Sequence, residues 1–379
     1  MLKANFPQDA LSWNRFDKLT PHITKYIDIL WKSDGIHISL MPDLPFLLKD
    51  AAVYLYERAR YGEAERLFLM NAHIWEQLLG EDNNPYLAST FNSLANIYKD
   101  LTKMDKAEIF YQKALSTWDR ASDLPQLEEF NADIAHTFNS LANFYRKGGE
   151  FDVAILFYKQ ASSILDKLSI KLSDKVFPLI GLAGTLVIQH KLEEAEYIYI
   201  ELLDIYEQER DWDNTDFAHI ISGLATLYQK QNRLEEAEQL YLNSLHIREE
   251  FLGPTHPHVA SILNNLAYLY HASEQYEKAE QFFLRAVDIY QNAYGAEHIQ
   301  VSLPLFGLAK IYYQQGNYKK AEELFLQTLY IQEQSLGTES ERILPVLVLL
   351  YDMYQKEEKL DKADLFEKRY KDILKKDKQ

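Results

Sequence analysis

Two alanines twelve residues apart recur along this chain at a nearly fixed interval, and that beat constrains the fold more than any other feature. The first of the pair falls at Ala52, Ala95, Ala142, Ala183, Ala225, Ala267 and Ala309, and the second at Ala64, Ala107, Ala154, Ala195, Ala237, Ala279 and Ala321. Successive intervals are 43, 47, 41, 42, 42 and 42 residues. An eighth unit keeps the register, with Tyr351 at the first position and Ala363 at the second. Self-similarity of this period is the mark of a repeat array, in which each unit buries its apolar face against its neighbours.

One unit shows why the repeats are helical. Leu263, Leu266, Ala267 and Tyr270 share one face of a 3.6-residue helix, and Ala279, Phe283 and Ala286 repeat that spacing. Only the polar stretch Ser273–Glu277 separates them, so the two helices must be antiparallel neighbours. Small side chains at Ala267 and Ala279 suit the closest approach of the two backbones, with Tyr270 and Phe283 filling the space beside it. Gly253-Pro254 breaks the chain before the hairpin, and Pro257 suits the first turn of its leading helix, where a missing N–H costs nothing.

Composition narrows the function. With 40 Lys and Arg against 57 Asp and Glu, the chain carries a net charge of −17, a field that repels nucleic acid and anionic lipid. It has no cysteine, hence no disulfide, thiolate metal site or thiol nucleophile. The N-terminal sequence lacks a secretory pattern, and no apolar run is long enough to span a bilayer. The expectation is a cytoplasmic protein with no membrane insertion.

The alanine register, the long period and the segment LGPTHPHVASILNNLAYLY resemble the tetratricopeptide repeat in its kinesin-light-chain-like form. The resemblance implies an all-α fold, a right-handed α-α superhelix or solenoid of about eight helical hairpins over residues 45–370. Residues 1–44 read as a helical cap or connector, and 371–379 as a charged tail. The usual period is about 34 residues, so the extra length falls between the second alanine and the next hairpin. The segment ASDLPQLEEFNAD lengthens the second interval and reads as a surface or binding loop. At the other end Glu367 stands where other units carry an aromatic, as suits a terminal unit whose outer face meets water.

The resemblance also implies a concave side lined by the first helix of each hairpin. On that face lie Asn92, Asn96 and Lys99, then Asn139, Asn143 and Arg146, each set spaced i, i+4, i+7, and in the sixth unit Asn264, Tyr268 and His271. An asparagine amide offers donor and acceptor together and can bracket a peptide group. Lys99 and Arg146 add acid-seeking charge. These nine are the candidate partner-binding residues for a protein or an extended peptide with an acidic segment; the alternative is that the asparagines tie adjacent hairpins together or simply face water. Phe177, Ile180 and Val187, and Leu303, Phe306 and Tyr313, put apolar groups on the same face. Lys49 is followed by Val53 rather than asparagine, so the clamp that holds chaperone tails is not matched.

Before the repeats, Phe6-Pro7, Trp13, Leu19 and Pro21-His22 resemble the connector of bacterial NB-ARC-type signalling NTPases, which implies a ligand-sensing arm as the alternative function. The chain has no phosphate-binding loop of its own. His256 and His258 fall in a turn, and the run Asp211–Asp216 lacks the glycine and glutamate of a calcium loop, reading instead as the cap of the helix that carries His219. No nucleophile elbow or metalloprotease motif is present. The sequence therefore points to an interaction scaffold, not an enzyme, with no cofactor and no metal.

Overall fold

The repeat alanines sit where the chain has no spare room: each of the fifteen in register has no solvent exposure. A computed structural model describes residues 43–376 apart from 58–59, 81–83, 102, 123, 125–126, 169–174 and 209–213. The connector read at residues 6–22, and Asp211–Asp213 of the acidic run, lie outside the described residues; Asn214–Asp216 open a helix. The fold is an all-α solenoid of paired helices, sixteen in eight successive hairpins among the described residues.

The chain divides into two compact units, residues 1–182 and 183–379. In the first, the hairpins are α1 (Leu44–Glu57) with α2 (Tyr61–Leu79), α3 (Pro85–Asp100) with α4 (Met104–Arg120), and α5 (Asn131–Gly148) with α6 (Phe151–Asp166). Helix α7 (Val176–Ile188) spans the division. The second unit continues with α8 (Leu192–Gln208), α9 (Asn214–Lys230), α10 (Leu234–Leu252), α11 (Pro257–Ala272) and α12 (Tyr276–Tyr294). It ends with α13 (Ile299–Gln314), α14 (Tyr318–Leu336), α15 (Leu344–Lys356) and α16 (Leu360–Lys376). That last helix carries through most of the stretch read as a tail. Among the described residues no helix is long and apolar enough to cross a membrane.

Turn chemistry explains the alternation. Inside the hairpins the residue seven after the first register position takes left-handed backbone, as Gly149, His190, Asn232, Glu274, Gly316 and Glu358 do. Between hairpins Gly80, Gly253, Gly295 and Gly337 close the outgoing helix with positive φ. Pro257 occupies the first turn of α11, as its missing N–H requires, and His256 caps that helix by accepting the His258 N–H at 3.2 Å. The inserted segment is anchored rather than loose. It forms a short 3₁₀ turn, Leu127–Phe130, whose Phe130 ring meets Tyr86 edge-on at 5.1 Å and leans on Trp118 at 6.1 Å.

Successive hairpins lock through the aromatic four residues after the second alanine, which presses on the leading helix of the next hairpin. In the first unit a Cβ at Gly181 would stand 2.3 Å from the Tyr158 ring. In the second, one at Gly223 would stand 2.4 Å from the Tyr199 hydroxyl, and one at Gly307 2.2 Å from Phe283. Glycine is required there by contact, not by backbone angle. In the eighth hairpin Glu367 takes that aromatic place and pairs with Lys371 at 2.7 Å.

Candidate partner-binding faces

Leading helices α1, α3 and α5 bring a polar bed together in the first unit. Lys49 donates to the Ser89 hydroxyl at 3.3 Å, and Ser89 to Asp133 at 3.3 Å, so three successive leading helices are stitched at one end of the bed. Further along, Asn96 donates from Nδ2 to Ser140 at 3.2 Å. Between those crossings lie Asn92 on α3 and His136 and Asn139 on α5.

The predicted asparagines divide into two kinds. Asn96 and Asn143 have their side-chain oxygens engaged: Tyr111 donates to Asn96 Oδ1 at 2.7 Å and Tyr158 to Asn143 Oδ1 at 2.8 Å. Asn92, Asn139 and Asn264 stand three residues before their repeat alanines, and in each the Oδ1 is buried without a hydrogen-bond donor. Asn92 is only 3% exposed and Asn264 9%. Orphaned buried oxygens are rare in folded proteins, and three at one register position form a pattern.

The cations differ as well. Lys99 is half-buried, 3.8 Å from Asp100 and 3.3 Å from Asn96 Oδ1. Burial holds its pKa below the ordinary lysine range, opposed by Asp100 and reinforced by Arg146. Arg146 is exposed and donates a long bond of 3.4 Å to Asn143 Oδ1. His136 keeps an exposed edge yet is crowded by protein, so desolvation lowers its pKa; Asp133 opposes this, and Lys49 and Lys99 add to it. Sequence spacing gave no sign of His136, because its neighbours come from three different helices.

In the second unit, Tyr268 donates to the Leu303 carbonyl at 3.2 Å and packs edge-on against Phe283 at 4.9 Å. Lys310 lies 5.9 Å from the Tyr268 ring. His271 has a buried Nε2 outside hydrogen-bond geometry, and burial followed by Lys310 lowers its pKa against an opposing interaction with Gln314. Of the apolar candidates, Phe177 and Leu303 are exposed, Ile180 and Val187 are buried, and Phe306 and Tyr313 are half-buried. Tyr313 is also bonded to Asp352 and Lys356. Among the described residues no group of three or more His, Cys, Asp or Glu side chains is placed to hold a metal ion.

The tetratricopeptide repeat profile matches residues 47–120, 216–292, 259–334 and 299–376, and a second profile of that repeat matches residues 137–169. No curated protein matches in sequence. Among solved structures, a Rap protein complexed with Competence and Sporulation Factor is similar over 97% of this chain and 97% of its own, at 15% identity and a TM-score of 0.65. The apo form of RapI matches over the same shares, 97% and 97%, at 14% identity and a TM-score of 0.57. The TPR-like repeats of a kinesin light chain from Podosopora anserina cover 56% of this chain and 98% of theirs, at 20% identity and a TM-score of 0.42. At these identities the likeness is one of fold.

Proposed function

The chain belongs to the tetratricopeptide-repeat family, and on that premise we propose that it is an interaction scaffold whose leading-helix faces hold an extended segment of a partner protein. The observation that carries this reading is the set of orphaned asparagine oxygens. Asn92 and Asn139 each keep a buried acceptor with no protein donor in the free protein, and by turning outward each side chain would gain the peptide N–H of an extended ligand. Lys99 and Arg146 flank them in a chain of net charge −17, which selects for acidic residues in the ligand. Asn96 and Asn143 hold the bed in shape through Tyr111 and Tyr158 and offer the ligand their remaining valences. Asn264, Tyr268 and His271 form a second, more aromatic face in the other unit. The similarly folded Rap protein is complexed with Competence and Sporulation Factor, which is in keeping with a ligand-holding use of the architecture.

The same faces would serve a ligand-sensing arm of a signalling NTPase, a reading that rests on the sequence of residues 6–22 alone.

The test begins with peptides selected from a displayed library against the full chain. Calorimetry then compares the best peptide on the wild type and on Asn92→Ala with Asn139→Ala. The expected loss is about 1–3 kcal/mol, because ligand N–H groups are left unpaired. The free double variant should be as stable as the wild type, since its lost oxygens bonded nothing. Unchanged affinity in the folded variant moves the binding face elsewhere.

A further inference from the structure

The slot eleven residues after the second alanine is filled by Trp75, Trp118, Leu165, Tyr206, Tyr290 and Leu374 in six of the eight repeats, by the neutral Gln332 in the seventh, and by a charged residue, Arg248, in the fifth. Arg248 is 8% exposed, its Nε is buried without an acceptor, and its one hydrogen bond runs from NH1 to the His258 carbonyl at 3.5 Å. A guanidinium does not shed its proton in a protein and carries five donors. Buried and uncompensated, such a charge is strongly unfavourable. The nearby carboxylates do not answer it: Glu249 is held by Arg285, and Glu250 faces His246 at 4.0 Å.

What surrounds Arg248 is a set of donors. His256 and His258 bracket the start of α11, with ring centroids 5.0 Å apart. Because His256 accepts the His258 N–H through Nδ1, its own proton resides on Nε2 and is available to donate. The positive end of the sixteen-residue helix α11 adds to the field. The next hairpin provides an internal contrast. There His298 caps α13 in the same manner, accepting from Gln300 at 3.3 Å, but the slot holds Tyr290 rather than arginine.

We propose that Arg248, His256 and His258 form a binding site for a small oxyanion, of the phosphate or carboxylate class, seated at the first turn of α11. The anion supplies the charge that the guanidinium lacks and accepts from the imidazole donors. Occupancy is linked to protons. In the free protein the His258 pKa is pushed down to about 4 by burial, then by Arg248 and His256, and that of His256 is lowered by burial and Arg248. From α12 come Tyr290, whose pKa is raised by its own burial, and Arg285, which donates to the Pro254 carbonyl in the same turn at 3.3 Å. A bound anion favours both imidazolium forms, so binding takes up protons and tightens as pH falls.

Histidine NMR titrations of the full chain test this, with sodium phosphate, sodium acetate and sodium chloride compared at equal ionic strength. The expected result is that phosphate or acetate lifts the midpoints of His256 and His258, chloride does not, and His298 stays put. The larger response names the anion class. Arg248→Leu should abolish the effect while melting no lower than the wild type in chloride, because Leu165 fills the same slot elsewhere. Should that variant fail to fold, the wild-type titrations, with His298 as control, decide alone. Midpoints unmoved by both oxyanions, moved equally by chloride, or moved equally in folded Arg248→Leu overturn the site.

Discussion

Tyr111 gives its hydroxyl proton to Asn96 Oδ1 at 2.7 Å, tying the trailing helix of the second hairpin to its leading helix. The same two register positions recur as Tyr158 with Asn143 at 2.8 Å and Tyr241 with Thr226 at 2.8 Å. Where the trailing position is phenylalanine, at Phe68, Phe283 and Phe325, the leading one is Val53, Tyr268 or Lys310. In three of the four repeats that carry the phenol its acceptor is present too; the fourth sets Tyr199 against Gly184.

A double-mutant cycle follows from this pairing. Asn96→Val alone strands the Tyr111 hydroxyl in the core and should destabilise by about 1–3 kcal/mol. Adding Tyr111→Phe recreates the Val53–Phe68 combination and should recover most of the loss, a coupling of roughly 0.5–3 kcal/mol in urea unfolding. Additive losses would mean that the bond does not organise the hairpin.

Glycines in the leading helices divide by what lies opposite. Gly307 faces the fully buried Phe283 ring, 2.2 Å from where a Cβ would stand, whereas Gly184 has only the Tyr199 hydroxyl at 3.9 Å. Gly307→Ala should therefore destabilise by roughly 1–3 kcal/mol through overpacking. Gly184→Ala should stabilise by up to about 1 kcal/mol, the helix preference of alanine over glycine. Chemical denaturation of the two variants checks the opposite signs.

The architecture was legible in the sequence because the tightest contact in each hairpin admits only the smallest side chain: the alanines that set the beat have no exposed surface. Pro257 and the polar turn after Ala272 likewise carry their structural reason locally. The binding face was less legible. Spacing on one helix shows that Asn92 and Asn96 share a face, but not that a phenol fifteen residues on already occupies Asn96 while Asn92 has nothing. His136 acquires its surroundings from α1, α3 and α5 together, and Arg248 becomes conspicuous only beside the uncharged residues that fill its slot in the other repeats.

Acid sensitivity should concentrate at the latches between hairpins of the second unit. Glu322 accepts from Tyr354 at 2.7 Å and from Lys362 at 2.8 Å, and its pKa is lowered, first by the Lys362 hydrogen bond. A carboxylate whose folded pKa is depressed adds stability above its unfolded value, and that stability is lost as pH falls through the folded value. The loss therefore begins near pH 4.5, the ordinary value, and continues below it. Lys362→Ala should lower stability at neutral pH by no more than about 1 kcal/mol, since Lys362 is largely exposed, and should flatten the acid limb of the profile. An unchanged slope below pH 5, followed by circular dichroism, removes this pair from the account.

Lys99 and Arg146 should separate when their charges are reversed. Lys99 is half-buried beside Asp100, which also accepts from Tyr56, so Lys99→Glu sets two carboxylates together in a partly desolvated site and should lower the unfolding midpoint. Any change in ligand binding by that variant mixes fold with function. Arg146 is exposed, and Arg146→Glu should alter stability by less than about 0.5 kcal/mol. It should nonetheless slow association with an acidic peptide selected against the full chain and flatten the salt dependence of that rate, because exposed charges act mainly through steering. It should also raise the Lys99 pKa, since Arg146 now holds it down. Stopped-flow association at low and high salt gives the first two quantities and lysine NMR the third. A folded Arg146→Glu protein whose on-rate matches the wild type at both salt concentrations, while its Lys99 pKa rises as expected, would show that the charge is correctly placed and that the acidic segment docks away from this face.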